Sequence, residues 1–192
     1  MITQETTLHT TAVFSEDGGK RFLLRKQWKP ELPKLAIIML APSIASGIEL
    51  DNSTLLVLNN ASHLGFGSVD VLNLFATLGD FSLKQAETED PDNMDVILRC
   101  CAQADTIVYA PGVGKSKNKL FAQRQEQVLS ALSKYEEKLH YLSNANDSAR
   151  LQHPLSPAVR TWTLSPLKVS ELLPAPSEPE PKQKKKGKSK TI

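Results

Sequence analysis

Asn73 stands among apolar neighbours in "DVLNLFAT". A side-chain amide there must find partners or cost ~1–3 kcal/mol left unsatisfied. It offers both a donor and an acceptor, which is what the edge of a planar nucleobase requires. An asparagine that only ties down its own loop would look the same in sequence. Phe75 lies two residues on and can stack a base or fill a core. His153 lies in "HPLSPAVR", where two prolines restrict the backbone and hold the imidazole in place. A held histidine can contact a phosphate or stabilise a developing anion. The plainer reading is a capping or surface histidine. Arg160 supplies a cation on the same segment, and Ser43 in Ala41-Pro42-Ser43 can donate to a phosphate. Asp51 precedes a helical pattern and can cap it. Lys115 belongs to "GVGKSKNK", a glycine-rich turn before a helix, which attracts anions. The phosphate-loop pattern needs glycine five residues before Gly114-Lys115-Ser116, and Tyr109 stands there, so that match fails. Ser43 also lacks the flanking glycines of a nucleophile elbow.

The elements that must position these residues alternate. "TAVFSEDGGKRFLLRKQW" (11–28) reads as strand, turn, strand, with Asp17-Gly18-Gly19 as a tight hairpin turn. "LAIIML" (35–40) is an apolar run suited to a strand buried on both faces. Asp51 or Ser53 caps a helix over 52–64, with Leu55, Leu58 and Ala61 inward and Gly65 at its end. Strands follow at 68–75, 105–112 and 138–144, and helices begin at Asp90-Pro91 and span 117–137. The first of these helices turns Met94, Ile97, Leu98 and Cys101 inward, and the second Phe121, Val128, Leu132 and Tyr135. Residues 165–173 read as a short helix or an extended tether. The expected fold is a three-layer α/β sandwich: a mainly parallel central sheet, helices on both faces and an N-terminal β-hairpin. Ligands bind such folds outside the carboxyl ends of the strands. Ala41-Pro42-Ser43, Asn73-Leu74-Phe75, Ala110-Pro111-Gly112 and the segment holding His153 all fall at those ends.

The 192 residues suit one domain over 1–173 followed by a tail, 174–192. Hydrophobic residues make up 40% and charged residues 23%, as in ordinary globular proteins. No apolar run approaches ~20 residues, so no membrane span is expected, and the N-terminus does not read as a secretory signal. Cys100 and Cys101 are adjacent, cannot staple a fold, and have no zinc-type spacing. No metal site or cofactor is implied, and a cytoplasmic location fits. The net charge of +2 divides unevenly. Six lysines and two glutamates make the tail +4, which leaves the rest −2. With almost no apolar content the tail is expected to be disordered. It suits either a nucleic-acid-attracting arm or a solubilising extension.

Taken in order, "IIMLAPSIA", the Asp51 and Thr54 pair, Gly65-Phe66-Gly67, Asn73-Leu74-Phe75 and His153-Pro154-Leu155 resemble a bacterial and phage family catalogued as domain of unknown function 1643. The resemblance covers about residues 10–165. Two positions depart from it: the family's Asn before Pro-Ser is Ala41, and its Trp-Gly is Pro111-Gly112. More distantly, the order is similar to that of the uracil-DNA glycosylase superfamily. Its members flip a base from the duplex and read its edge. That likeness implies that Asn73 reads the base and that His153-Pro154 forms the late motif. It also places Ala41 where the superfamily carries a water-positioning Asp or Asn.

The expected function is therefore a nucleobase- or nucleic-acid-binding protein of glycosylase-like fold with a degenerate active site. Asn73 and Phe75 would hold the base, and Ser43, Lys115 and Arg160 the phosphate. The enzyme alternative is a base-excising or nucleotide-processing hydrolase in which Asp51, with His153, replaces the missing residue. A protein-interaction module of a phage or mobile element is the third class. The expected partner is DNA or a nucleotide, with a protein partner as the alternative and no membrane.

Overall fold

A computed structural model describes residues 1–43, 48–79, 81–84, 86–88, 90–112, 118–143 and 151–173. The predicted tail, 174–192, and Lys115 lie outside the described residues. The chain opens with the expected hairpin, β1 (His9–Phe14) and β2 (Arg21–Gln27). Asp17 organises its turn by accepting from Ser15 Oγ at 2.6 Å and Gly19 N at 3.0 Å, while Gly18 takes a φ of 71° that a side chain would resist. Then follow β3 (Lys34–Met39), α1 (Asn52–His63), β4 (Ser68–Asn73), α2 (Pro91–Gln103), β5 (Thr106–Tyr109), α3 (Lys119–Leu132), β6 (Leu139–Ser143) and β7 (Thr163–Pro166).

The strands form one seven-stranded sheet in the order β1-β2-β4-β3-β5-β6-β7. The four central strands β4-β3-β5-β6 are parallel, while β1, β2 and β7 run antiparallel to their neighbours. The sheet is thus mixed, and the parallel expectation holds for its centre. β3 shows why its run is continuously apolar. Leu35, Ile37 and Met39 join a core with Val57 and Ala61 of α1, whereas Ala36 and Ile38 join one with Ile97 of α2 and Leu129 of α3. The pleat sends alternate residues to opposite faces, and helices cover both.

Two expectations need correction. The buried face of α1 carries Thr54, Val57, Asn60 and Ala61, while Leu55 is 44% exposed. The polar Asn60 is inward because its amide works as a latch. Its Nδ2 donates to Leu56 O at 2.9 Å and Arg160 O at 3.1 Å, and its Oδ1 accepts from Trp162 N at 2.9 Å. The segment around residue 165 is neither helix nor tether at its start. It pairs antiparallel with β6 as β7, and a short 3-10 turn follows at Val169–Glu171. Cys100 and Cys101 are both buried in α2, and burial pushes each thiol up to about 12.

Gly67 marks the tightest backbone approach among the described glycines. Its carbonyl accepts from Trp28 N and Lys29 N, and its N–H donates to Pro33 O. A Cβ there would fall 1.8 Å from Lys29 O and 2.7 Å from Leu32 Cβ. Gly67→Ala is therefore expected to destabilise the fold by ~1–3 kcal/mol or more through overpacking against backbone that cannot rotate away. Thermal melting checks this, and an unchanged midpoint would show that the loop at 29–33 yields freely.

Candidate functional site

β4 and β5 lie on opposite sides of β3, so the chain reverses direction of travel across the sheet at the carboxyl end of β3. That switch point is where a doubly wound sheet opens a crevice. Hydrogen bonds bind the three strand ends into one rim. Leu74 N donates to Met39 O at 2.8 Å, Phe75 N to Leu40 O at 3.0 Å, and Ala110 N to Ile38 O at 2.8 Å. With two strand spacings between them, the ends of β4 and β5 stand ~10 Å apart.

Asp51 organises the front of this rim. It caps α1, its Oδ1 accepting from Thr54 N at 2.7 Å, while its Oδ2 accepts from the Ser43 hydroxyl and from Thr54 Oγ1 at 3.3 Å. Both Ser43 and Asp51, singled out from the sequence, therefore meet, and each engages the other. Arg21, at the start of β2, joins them from beyond β4: it is 2% exposed and Nη1 donates to Ser43 O at 3.3 Å. Burial pushes the Arg21 guanidinium down and the charge of Asp51 opposes this. Nothing in "GGKRFLL" marked Arg21 as a site residue, since a hairpin arginine ordinarily faces solvent.

His153 reaches the rim from the other side. An added Cβ on Gly112, just past β5, would lie 3.2 Å from His153 Cβ, so the left-handed Gly112 (φ 92°) makes room for the ring. His153 Nδ1 accepts from Leu155 N at 3.1 Å. A nitrogen that accepts carries no proton, so the neutral ring bears its hydrogen on Nε2 and is a donor there. Burial pushes the imidazole below its ordinary value, and nearby Asp51 partly offsets this. The sign of the resulting linkage is fixed. The unfolded chain takes the proton near pH ~6.5 and the folded site resists it, so stability should fall as pH drops from there toward the folded value. Melting temperatures between pH 7 and 5 should fall more steeply for the wild type than for His153→Gln; parallel curves would count against a half-buried neutral ring.

Asn73 ends β4, opposite Met39 of β3. It follows Val69 and Val71 in the strand's alternation, and both belong to the core on the α1 side. The residue is 1% exposed, and its Nδ2 has no hydrogen-bond partner among the described residues. Its backbone is held from the opposite face. Asn93 Nδ2 of α2 donates to Asn73 O at 3.1 Å and Leu74 O at 3.2 Å, and Arg124 Nε of α3 donates to Leu74 O at 2.8 Å. Asn93 and Arg124, 0% and 1% exposed, are the residues the sequence reading passed over. Their polar type at inward helical positions was the available signal.

The structure does not bring every candidate to the rim. Phe75 is 2% exposed, packs in the α2–α3 core and lies 5.2 Å from Phe81 between ring centroids. The strand ends at Asn73, so the alternation that placed Phe75 beside Asn73 does not extend to it. Arg160 is exposed, and its carbonyl is latched to Asn60. Asn60 lies nine residues beyond the cap Asp51, ~13 Å along the helix axis, which sets the Arg160 backbone back from the rim. Lys115 lies outside the described residues. No group of three or more His, Cys, Asp or Glu residues that could hold a metal occurs among the described residues, and no described helix is long and apolar enough to cross a membrane.

No curated protein matches the chain. A family profile does match, from Arg21, which abuts Ser43, to Leu155, whose N–H fixes the His153 ring. With residues 21–155 of its 192 matched, the chain belongs to the family described as Protein of unknown function (DUF1643).

Proposed function

We propose that the chain binds a nucleobase, free or within a nucleic acid, at the carboxyl ends of β3, β4 and β5, in a glycosylase-like manner and with little or no hydrolysis. The observation that carries this reading is the Asn73 amide. A buried donor without a partner among the described residues costs ~1–3 kcal/mol, and at the carboxyl end of β4 a ligand is one group that would complete it. The His153 ring supports it with an Nε2–H donor in a held orientation. The binding reading ranks above the hydrolase because both Asp51 oxygens already serve as acceptors for Ser43 and Thr54, which suits a helix cap better than a working acid or base. Ala41, at the end of β3, adds no functional group to orient a water. The deciding experiment is calorimetric titration of the full chain with nucleosides and with single- and double-stranded oligonucleotides carrying normal, deaminated and alkylated bases. Saturable binding that Asn73→Leu removes supports the proposal. A wild type that binds none of them removes it.

A further inference from the structure

We infer that the free edge of β1 is a self-association surface, on which a second copy of this chain adds its own β1 antiparallel across a two-fold axis at Thr11. Among the described residues β1 pairs only with β2. Trp28 donates its N–H to Gly67, on the β4 side of β2, so the alternation turns residues 23, 25 and 27 toward β1. Their register partners are Val13, Thr11 and His9. Thr10 and Ala12 therefore turn their N–H and C=O groups outward, a template for another strand.

The two edges of the sheet differ in how they treat that hazard. β7 is four residues long and ends in Pro166. β1 has six residues and no proline, and no Asp, Glu, Lys or Arg occurs between Glu5 and Glu16. Charge and proline are the usual blocks to edge pairing, and an identical uncharged edge meets this one without like-charge repulsion. The outward groups also restrict the register. They allow a two-fold centred on Thr10, Thr11 or Ala12, and the one at Thr11 sets Thr10 against Ala12 of the second copy and Leu8 against Phe14 at both ends. Leu8 and Phe14 are 47% and 45% exposed, so the two-fold covers four exposed apolar side chains at once. Leu8 also borders a groove of about 250 Å³ with Trp28 and Leu58, open to the second copy.

In that register Thr11 and its symmetry mate form a non-hydrogen-bonded pair, with Cα atoms ~4.5 Å apart, inside the range a disulfide spans. Sedimentation of the full chain over a concentration series should show a monomer–dimer equilibrium. Thr11→Lys sets two cations face to face on an exposed position and should weaken it at least tenfold, with an unchanged melting temperature at concentrations where the wild type is monomeric. Thr11→Cys, with oxidised glutathione as the oxidant, should give a disulfide-linked dimer, since Cys100 and Cys101 are buried and do not compete. A monomeric wild type overturns the inference, as it would if the edge took a foreign peptide. So does a dimer that survives Thr11→Lys and is not linked through Thr11→Cys.

Discussion

Asn73→Leu is expected to abolish base binding while leaving the protein as stable as before, or more so. Leucine shares the branching and heavy-atom count of asparagine, though its methyl groups are bulkier, and it lacks the amide. The lost Nδ2 has no partner among the described residues, so its removal strands no other described group. The carbonyl that Asn93 holds belongs to the backbone and survives the substitution. Relief of an unpaired buried amide is worth ~1–3 kcal/mol, so the melting temperature should hold or rise. Binding should fall by roughly 100-fold or more, because two hydrogen bonds to a base edge are lost, at about 1.4 kcal/mol per factor of ten. Opposite movement of stability and affinity is the mark of a residue kept for function. The reverse pattern, a fall of many degrees with no change in ligand response, would make Asn73 a structural tie of its own loop.

How much was legible in the chain depended on how local each cause was. The hairpin turn, the Asp51 cap and the buried run of β3 rest on neighbouring residues, and the structure places all three where the sequence puts them. The inward face of α1 was misread because Asn60 looks polar in isolation; it is buried only because Arg160 and Trp162 return to it a hundred residues later. β7 escaped notice because four residues ending in proline carry no periodic signal. The site divides in the same way. Ser43, Asp51, Asn73 and His153 could be named from strand ends and prolines, since those features mark where loops begin. Arg21 could not, and Asn93 and Arg124 showed only as polar residues at inward helical positions, because their parts are set by strand order and helix packing rather than by their neighbours. Gly67 belongs with them: the Gly-Phe-Gly pattern is visible, but its cause is the carbonyl of Lys29 on another loop.

Ala41→Asp and Ala41→Asn are expected to create detectable base release where the wild type stays near background. Ala41 follows the carboxyl end of β3, between the ends of β4 and β5, and precedes the Pro42-Ser43 pair that meets Asp51. In the glycosylase-like reading this is the position from which a side chain would hold water against the sugar carbon. A methyl group can neither accept the water's proton nor align it. A carboxylate can do both and an amide only the second, so the aspartate should exceed the asparagine. Positioned general base catalysis contributes ~10²–10⁴-fold, which sets the scale of gain expected on a substrate the wild type binds but does not cut. The fold should tolerate the change, because Ala41 is only half-buried and a polar group there can keep water. Two controls give the result meaning. Adding Asn73→Leu to Ala41→Asp should return release to background, since the base would no longer be held. Adding His153→Leu should lower it through loss of the Nε2–H donor. Base release by the wild type itself would overturn the degenerate reading and move the working acid to Asp51. A folded Ala41→Asp protein that binds a base tightly and never cuts it would instead place the bound sugar out of reach of β3, and the chain would be a reader of bases and not a disabled hydrolase.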